Sequence, residues 1–244
     1  MPGPYHRFCS ACATDLLAHS TSCRQCGTPV AAAQLICGRC LQSRQHYEQL
    51  IVVADFLGPW ASLIKALKYQ HRLSLAPALA NLLVRRLQTR QGDEEYWCQW
   101  QVIGMPMHRQ RLGRRGFNQA EILGRLIAKA LQARYAEPVK RVRNTQALEA
   151  LTRRERARAV RGAFTCRPIS GNWLIVDDVF TTGASVNELA AELRGAGAQR
   201  VMVAALARTP ISGDNQNNWL GSVFGDTPAA MDETNSPPPT AKMS

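Results

Sequence analysis

Hydrophobic positions along the chain alternate between two periods. Leu50 to Leu57 (L-I-V-V-A-D-F-L) is a short apolar run of strand length. Leucines at 75, 79, 82, 83 and 87 follow at helical spacing. Gln91 to Glu95 is polar, contains Gly92 and predicts a loop. A short strand is expected over Gln101 to Met105, leading into Pro106. Ile122, Leu123, Leu126, Ile127, Ala130 and Leu131 mark an amphipathic helix. Arg141 to Arg161 is arginine-rich and weakly patterned, which predicts a mobile loop with one short helix.

The clearest unit comes next. Trp173 to Val176 is a fully apolar strand that ends in Asp177 and Asp178. A turn, T-T-G-A-S, precedes a helix with Val186, Leu189, Ala190 and Leu193 on one face. Gly195 and Gly197 stop that helix, and Arg200 to Ala207 returns as a strand. Such a β-α-β unit, crossing over right-handed, builds a doubly wound parallel α/β sheet. Ligands in these sheets sit beyond the carboxyl ends of the strands. The fold is expected to end near Pro210. Ile211 to Ser244 has four acids, one Lys, four Pro and no period, and is expected to be disordered or loosely attached. The expected organisation is a cysteine-rich head over residues 1–46, the sheet domain over 47–210 and the tail over 211–244.

The longest unbroken apolar run is seven residues, Val201 to Ala207. Spanning a bilayer takes roughly 18 or more, so no membrane insertion is expected. The first twenty residues lack a basic segment followed by an apolar one, so the expected location is cytoplasmic.

The formal net charge is +12, and 25 of the 30 basic residues are Arg. The excess is local: Met105 to Arg167 carries 14 Arg and 2 Lys against 4 Glu. Guanidinium forks match phosphate geometry, so this stretch is suited to a polyanion, either nucleic acid or a polyphosphate ligand.

Six of eight cysteines form three C-x-x-C pairs: Cys9 and Cys12, Cys23 and Cys26, Cys37 and Cys40. Ten residues separate each pair from the next. In a reducing compartment this pattern points to zinc, which takes four thiolates tetrahedrally. Six ligands do not divide by four. The spacing favours Cys23, Cys26, Cys37 and Cys40 as the intact site, with Cys9, Cys12, Cys23 and Cys26 as the alternative. The leftover pair would stand apart or recruit His6 or His19. Cys98 and Cys166 are isolated and are expected to be buried.

The string V-D-D-V-F-T-T-G-A-S combines two carboxylates with a hydroxyl-rich turn that opens a helix. Helix N-termini present unpaired amides and suit phosphate. Thr181, Thr182 and Ser185 add hydroxyls, and Gly183 lets backbone come close. Asp177 and Asp178 suit vicinal sugar hydroxyls, or a cation that bridges to phosphate. A sugar phosphate satisfies both halves. Successive strand residues face opposite ways, so both carboxylates meet one ligand only if the turn begins at them.

The Asp177 to Ser185 segment resembles the phosphoribosyl-diphosphate (PRPP) loop of type I phosphoribosyltransferases. The wider chain resembles the ComF family (ComFC and GntX proteins) through Gly104 to Glu121, the spaced arginines of Gln146 to Phe164, Lys65 to Tyr69 (K-A-L-K-Y) and the cysteine head. The resemblance implies a phosphoribosyltransferase-like sheet preceded by a small zinc ribbon. It implies that Asp177 and Asp178 hold the ribose of PRPP, the catalytic centre. Thr181, Thr182, Gly183, Ala184 and Ser185 would cradle its 5-phosphate. Arg109, Arg111 and Arg115, on the loop after Pro106, would meet the diphosphate with Mg2+. Arg153 to Arg158 would form a flexible loop over the site, and Asn118 and Gln119 would anchor the helix behind the diphosphate loop. Zinc would be structural.

The resemblance implies a role in natural competence, in DNA uptake or utilisation, and a PRPP-binding protein with Mg2+ in that role is the favoured expectation among three functions. One is a phosphoribosyl transfer enzyme acting on PRPP. Another is a single-stranded DNA-binding protein of natural competence, in DNA uptake or utilisation, with PRPP as a regulatory ligand. The third is an adaptor for competence-machinery proteins, with the PRPP site idle. No acceptor pocket is legible in the sequence.

Overall fold

The computed structural model describes residues 22–31, 35–43, 45–92, 94–144 and 153–210. Every described residue lies within one compact unit. Cys9, Cys12 and the tail beyond Pro210 fall outside the described residues.

The described elements are α1 (Gly38–Leu41), β1 (Gln49–Asp55), α2 (Gly58–Tyr69), a single 3-10 turn (Leu73–Leu75), α3 (Ala76–Gln91), α4 (Glu94–Trp97), β2 (Trp100–Gly104), α5 (Arg109–Arg115), α6 (Gln119–Ala130), β3 (Arg134–Tyr135), β4 (Val139–Arg141), α7 (Arg153–Val160), β5 (Phe164–Cys166), β6 (Asn172–Phe180), α8 (Ala184–Gly195) and β7 (Arg200–Arg208). Five strands form one sheet in the order β1-β7-β6-β2-β3. Every pair in it is parallel. β6 and β7 lie at its centre and read as nearly continuous apolar runs because both of their faces are covered. α3 and α6 pack on β1, β2, β6 and β7. On the other side, Leu189, Ala190 and Leu193 of α8 share a core with Ile103, Ile175, Val203 and the head residues Cys23, Cys26 and Cys40. The result is a doubly wound parallel sheet with a cysteine cluster set against one face.

The head is tied down by backbone and side-chain bonds. Leu50 N donates to Arg24 O at 2.6 Å, and Tyr47 Oη donates to Gln25 O at 2.7 Å. Arg208, 2% exposed, pairs with Asp55 at 2.7 Å and donates to Thr28 Oγ1 at 3.3 Å.

Several expectations need correction. The polar stretch at 91–95 is not wholly loop, because Glu94–Trp97 is a helical turn pinned by the fully buried Trp97. β6 does not stop at the aspartates. It runs two residues further, because β7 still offers a partner there (Phe180 opposite Arg208) and Val179 and Phe180 are buried. Arg141 ends a strand, not a loop: β4 pairs antiparallel with β5, Arg141 opposite Phe164. The loop after Pro106 is α5, opened by His108, whose Nδ1 accepts from Gln110 N, and closed by Gly116 in the left-handed region. Arg153–Val160 is the short helix expected within 141–161, whereas the resemblance implied a flexible loop over Arg153 to Arg158. Cys98 is exposed and Cys166 half-buried, since each sits at the rim of a short element and not in the core. α2 was not among the expected elements; its Trp60, Ile64 and Leu67 are buried at i, i+4 and i+7 behind Pro59.

Candidate functional site

The site assembles at the carboxyl ends of β2 and β6. Gly104 ends β2, and a Cβ there would lie 2.6 Å from the Ala120 backbone. The absence of a side chain lets the start of α6 press onto the strand end. Asn118 caps that helix: its Oδ1 accepts from Ala120 N at 3.1 Å, while its Nδ2 donates to Met105 O at 3.1 Å. Gln119 is thereby aimed at β6, and its Nε2 donates to Asp178 Oδ2 at 2.7 Å.

Asp178 is 3% exposed, and both of its oxygens are occupied. Lys68 Nζ, from the last turn of α2, meets Oδ1 at 2.8 Å. Burial works against the Lys68 charge, but the adjacent Asp178 outweighs it and raises the ammonium above its ordinary pKa. Arg115 donates to Gln119 Oε1 at 3.0 Å, and its guanidinium lies over the Tyr69 ring at 5.4 Å. A chain of polar contacts thus runs from Arg115 through Gln119 and Asp178 to Lys68.

Asp177 stands differently. It is half-buried, and its Oδ1 accepts from Asp178 N at 2.9 Å. Burial first, then the neighbouring Asp178 charge, pushes its carboxyl well above the usual range. The two aspartates lie inside the strand and differ in surroundings: one is locked by partners and the other is held at an energetic cost.

After Phe180 the chain turns through Thr181 and Thr182 into α8. Gly183, at φ 75°, is the residue before the helix. A Cβ there would lie 2.5 Å from Phe180 Cζ, so the ring occupies the space a side chain needs. Thr181 is exposed, and Thr182, Ala184 and Ser185 are half-buried around the open helix end. Of the arginines expected at the site, Arg109 and Arg111 are exposed on α5 and Arg115 is half-buried. Lys68, Tyr69, His71, Arg111, Arg114 and Arg115 line a cavity of about 550 Å³. A larger cavity, about 720 Å³, lies between the head and the Thr181–Thr182 turn and shares Lys68 and Tyr69 with the first. Lys68 was missed as a site residue; the signal was the K-A-L-K-Y string itself. The side chains of Arg153, Arg154 and Arg156 lie outside the described residues.

In the head, the sulfurs of Cys23, Cys26, Cys37 and Cys40 all lie within 4.8 Å of one another. Cys26 and Cys37 are 3.7 Å apart. A tetrahedral zinc with bonds of about 2.3 Å places its sulfurs roughly 3.8 Å apart, so the set fits a structural zinc ion. Cys37 N donates to Cys23 Sγ at 3.3 Å, and Arg39 Nη2 lies 3.8 Å from Cys26 Sγ, which suits an anionic thiolate shell. The contact with Cys23 pulls the Cys26 thiol down, and the same contact pushes Cys23 up.

The fold and site define a doubly wound parallel α/β protein with a metal-competent cysteine head. No protein-family model matches the chain. It is 37% identical over 205 residues to the DNA utilization protein YhgH of Escherichia coli O6:H1, covering 83% of this chain and 90% of that one. The YhgH protein of Escherichia coli K12 is 36% identical over the same shares. Competence protein F of Haemophilus influenzae is 27% identical over 207 residues, 82% of this chain and 90% of that one. The chain belongs to the ComF family. Among solved structures, TT1426 from Thermus thermophilus is similar at a TM-score of 0.33 and 17% identity, over 55% of this chain and 82% of that one, too loose a likeness to assign a fold. Among the described residues, no helix is long and apolar enough to cross a membrane.

Proposed function

We propose that this chain binds PRPP with Mg2+ at the end of β6 and acts in natural competence, in the uptake or utilisation of DNA. The observation that carries the binding reading is the junction of β6 and α8. A half-buried carboxylate, Asp177, is held at a raised pKa beside the open N-terminus of a helix of twelve residues. A chain keeps so unfavourable a group where a ligand answers it. The names of the relatives support the role in competence.

In this reading the Thr181 to Ser185 turn takes the 5-phosphate, with Gly183 letting amides approach. Asp177 accepts from ribose hydroxyls. Asp178 is fixed by Gln119 and Lys68, so it positions the strand end and orders Lys68 toward the ligand. Arg115, Arg111 and Arg109 neutralise diphosphate as it leaves, because a positioned guanidinium strengthens its hold as charge develops on the leaving group. Mg2+ would share the Asp177 side and supply further charge neutralisation. Zinc at Cys23, Cys26, Cys37 and Cys40 would fix the head against the sheet and take no part in chemistry.

Calorimetric titration of PRPP with Mg2+ into the zinc-loaded protein tests the site, beside an Asp177→Asn, Asp178→Asn variant. Saturable binding that the variant loses is expected. No binding by the folded parent protein sinks the reading. A second reading, single-stranded DNA binding with PRPP regulatory or idle, draws on one observation: Arg109, Arg111 and Arg114 are all exposed on α5. Such binding would weaken steeply with added salt.

A further inference from the structure

β1 is an edge strand of the sheet, paired with β7 on one side only. The cysteine head and α3 meet it on the open side. Leu50 N donates to Arg24 O at 2.6 Å, and Arg86 Nε, from α3, donates to Val52 O at 3.3 Å. These bonds answer backbone groups that an edge strand otherwise leaves unpaired.

The bond to Val52 does not satisfy Arg86. The residue is only 8% exposed, and a guanidinium carries further donors and a full charge. Among the described residues no carboxylate pairs with it, and Val52 O is its one acceptor. Burial first, then the Arg90 charge, pulls its pKa down to about 9. Buried charges are ordinarily paired. The chain follows that rule elsewhere: buried Arg208 has Asp55 at 2.7 Å, and Lys68 has Asp178 at 2.8 Å.

Arg86 lines a recess together with Ser22, Arg24, Gln49 and Arg90. The recess has a volume of about 20 Å³, room for one water-sized group. Arg24 and Arg90 are exposed, and neither has an ion pair among the described residues. No described carboxylate lines the space. Gln49 Oε1 accepts from Gln91 Nε2 at 2.6 Å, which leaves the Gln49 amide nitrogen to donate. The recess shares no lining residue with the two cavities beside Lys68. One buried and two exposed guanidiniums around so small a space suit an oxyanion with one oxygen inside and the others outside. A phosphate group has that shape, and its oxygens match guanidinium forks.

We infer that the recess between the cysteine head, β1 and α3 is an anion seat for a phosphate group. One phosphate oxygen meets Arg86, and the others meet Arg24 and Arg90. The group is inorganic phosphate or a phosphomonoester. The seat stands apart from the PRPP reading, because it lies on the open edge of β1 and not at the ends of β2 and β6.

The test uses the full-length, zinc-loaded protein in phosphate-free buffer at constant ionic strength. Backbone amide shifts are followed by heteronuclear NMR as inorganic phosphate, glycerol 3-phosphate or chloride is added. Saturable shifts are expected at Arg24, Gln49 to Val52 and Arg90, apart from any at Thr181 to Ser185. Arg86→Met should weaken phosphate there by about tenfold or more, the scale of one lost charge-assisted hydrogen bond. An Arg24→Gln, Arg90→Gln variant changes only exposed side chains, should show a loss of similar size, and decides the matter if Arg86→Met does not fold. Phosphate shifts confined to Thr181–Ser185 overturn the seat. Equal midpoints for chloride and phosphate overturn the phosphate class. Phosphate affinity that the folded variants leave unchanged overturns the location. Binding of inorganic phosphate alone sustains the seat for the free ion, and binding of glycerol 3-phosphate as well sustains it for a phosphate carried on a larger molecule. Failure of PRPP to bind at β6 alters none of these outcomes.

Discussion

Lys68 Nζ rests 2.8 Å from Asp178 Oδ1, and the two residues come from α2 and β6, 110 positions apart in the chain. Side-chain exposure is 18% for the lysine and 4% for the aspartate, so this pair is neither a surface bridge nor fully dry. Gln119 closes the other carboxylate oxygen. Three separated segments are thereby joined at one carboxylate.

Removing the cation alone should be costly. Lys68→Met leaves Asp178 buried with one partner, and breaking such a pair from one side costs about 3–5 kcal/mol. Adding Asp178→Asn removes the stranded charge. Urea unfolding of both single variants and the double variant should show non-additivity of at least about 1 kcal/mol. Additive losses would mean the two groups do not interact in solution.

Asp177 gives a pH signature. Its folded pKa is raised from 3.8 to about 7. Between those values the folded chain binds more protons than the unfolded one, so this group makes stability fall as pH rises through the window. Below the window both states are protonated and the penalty vanishes. Asp177→Asn should therefore stabilise the protein at pH 8 and be neutral near pH 4. The residue as a whole is half-buried, so the gain is about 1 kcal/mol, a rise of roughly 2–4 °C in melting temperature. A destabilised variant at pH 8 would count against a penalised charge at this position.

Gly183→Ala should damage the turn twice over. The backbone sits at φ 75°, and the new methyl meets the Phe180 ring. A left-handed alanine costs roughly 1–2 kcal/mol, and displacing a packed ring adds about 1 or more. Guanidinium unfolding should show a loss of about 2–3 kcal/mol. Phe180→Leu in the same chain should recover the packing part only, because the backbone strain remains.

Metal content offers an independent check on the head. Cys26→Ser should lower bound zinc by one equivalent, measured by elemental analysis of the purified protein. Chelation of the parent protein should lower its melting temperature, because Cys23, Cys26 and Cys40 are part of the core shared with α8. Unchanged zinc in Cys26→Ser would place the metal elsewhere.

Much of this protein was legible in its sequence, because the signals were local. The apolar run from Trp173, the glycine-bearing turn and the repeat at Val186, Leu189 and Leu193 fixed β6, α8 and β7 through side-chain period alone. The pairing of Cys23 and Cys26 with Cys37 and Cys40 is likewise a matter of spacing and chemistry. Where strand bounds departed from expectation, a non-local partner decided the outcome. β6 continues past the aspartates because β7 runs beside it, and Arg141 belongs to a strand because Phe164 lies opposite. Period and composition cannot report which segment will come alongside. The same holds for function. The residue string identified Asp177 and Asp178 as a pair. Only the tertiary structure made them unequal: it brings Lys68 and Gln119 onto Asp178 and leaves Asp177 half-buried without them. Burial and long-range contact set the energy of a charge, and neither is written in the order of residues along the chain.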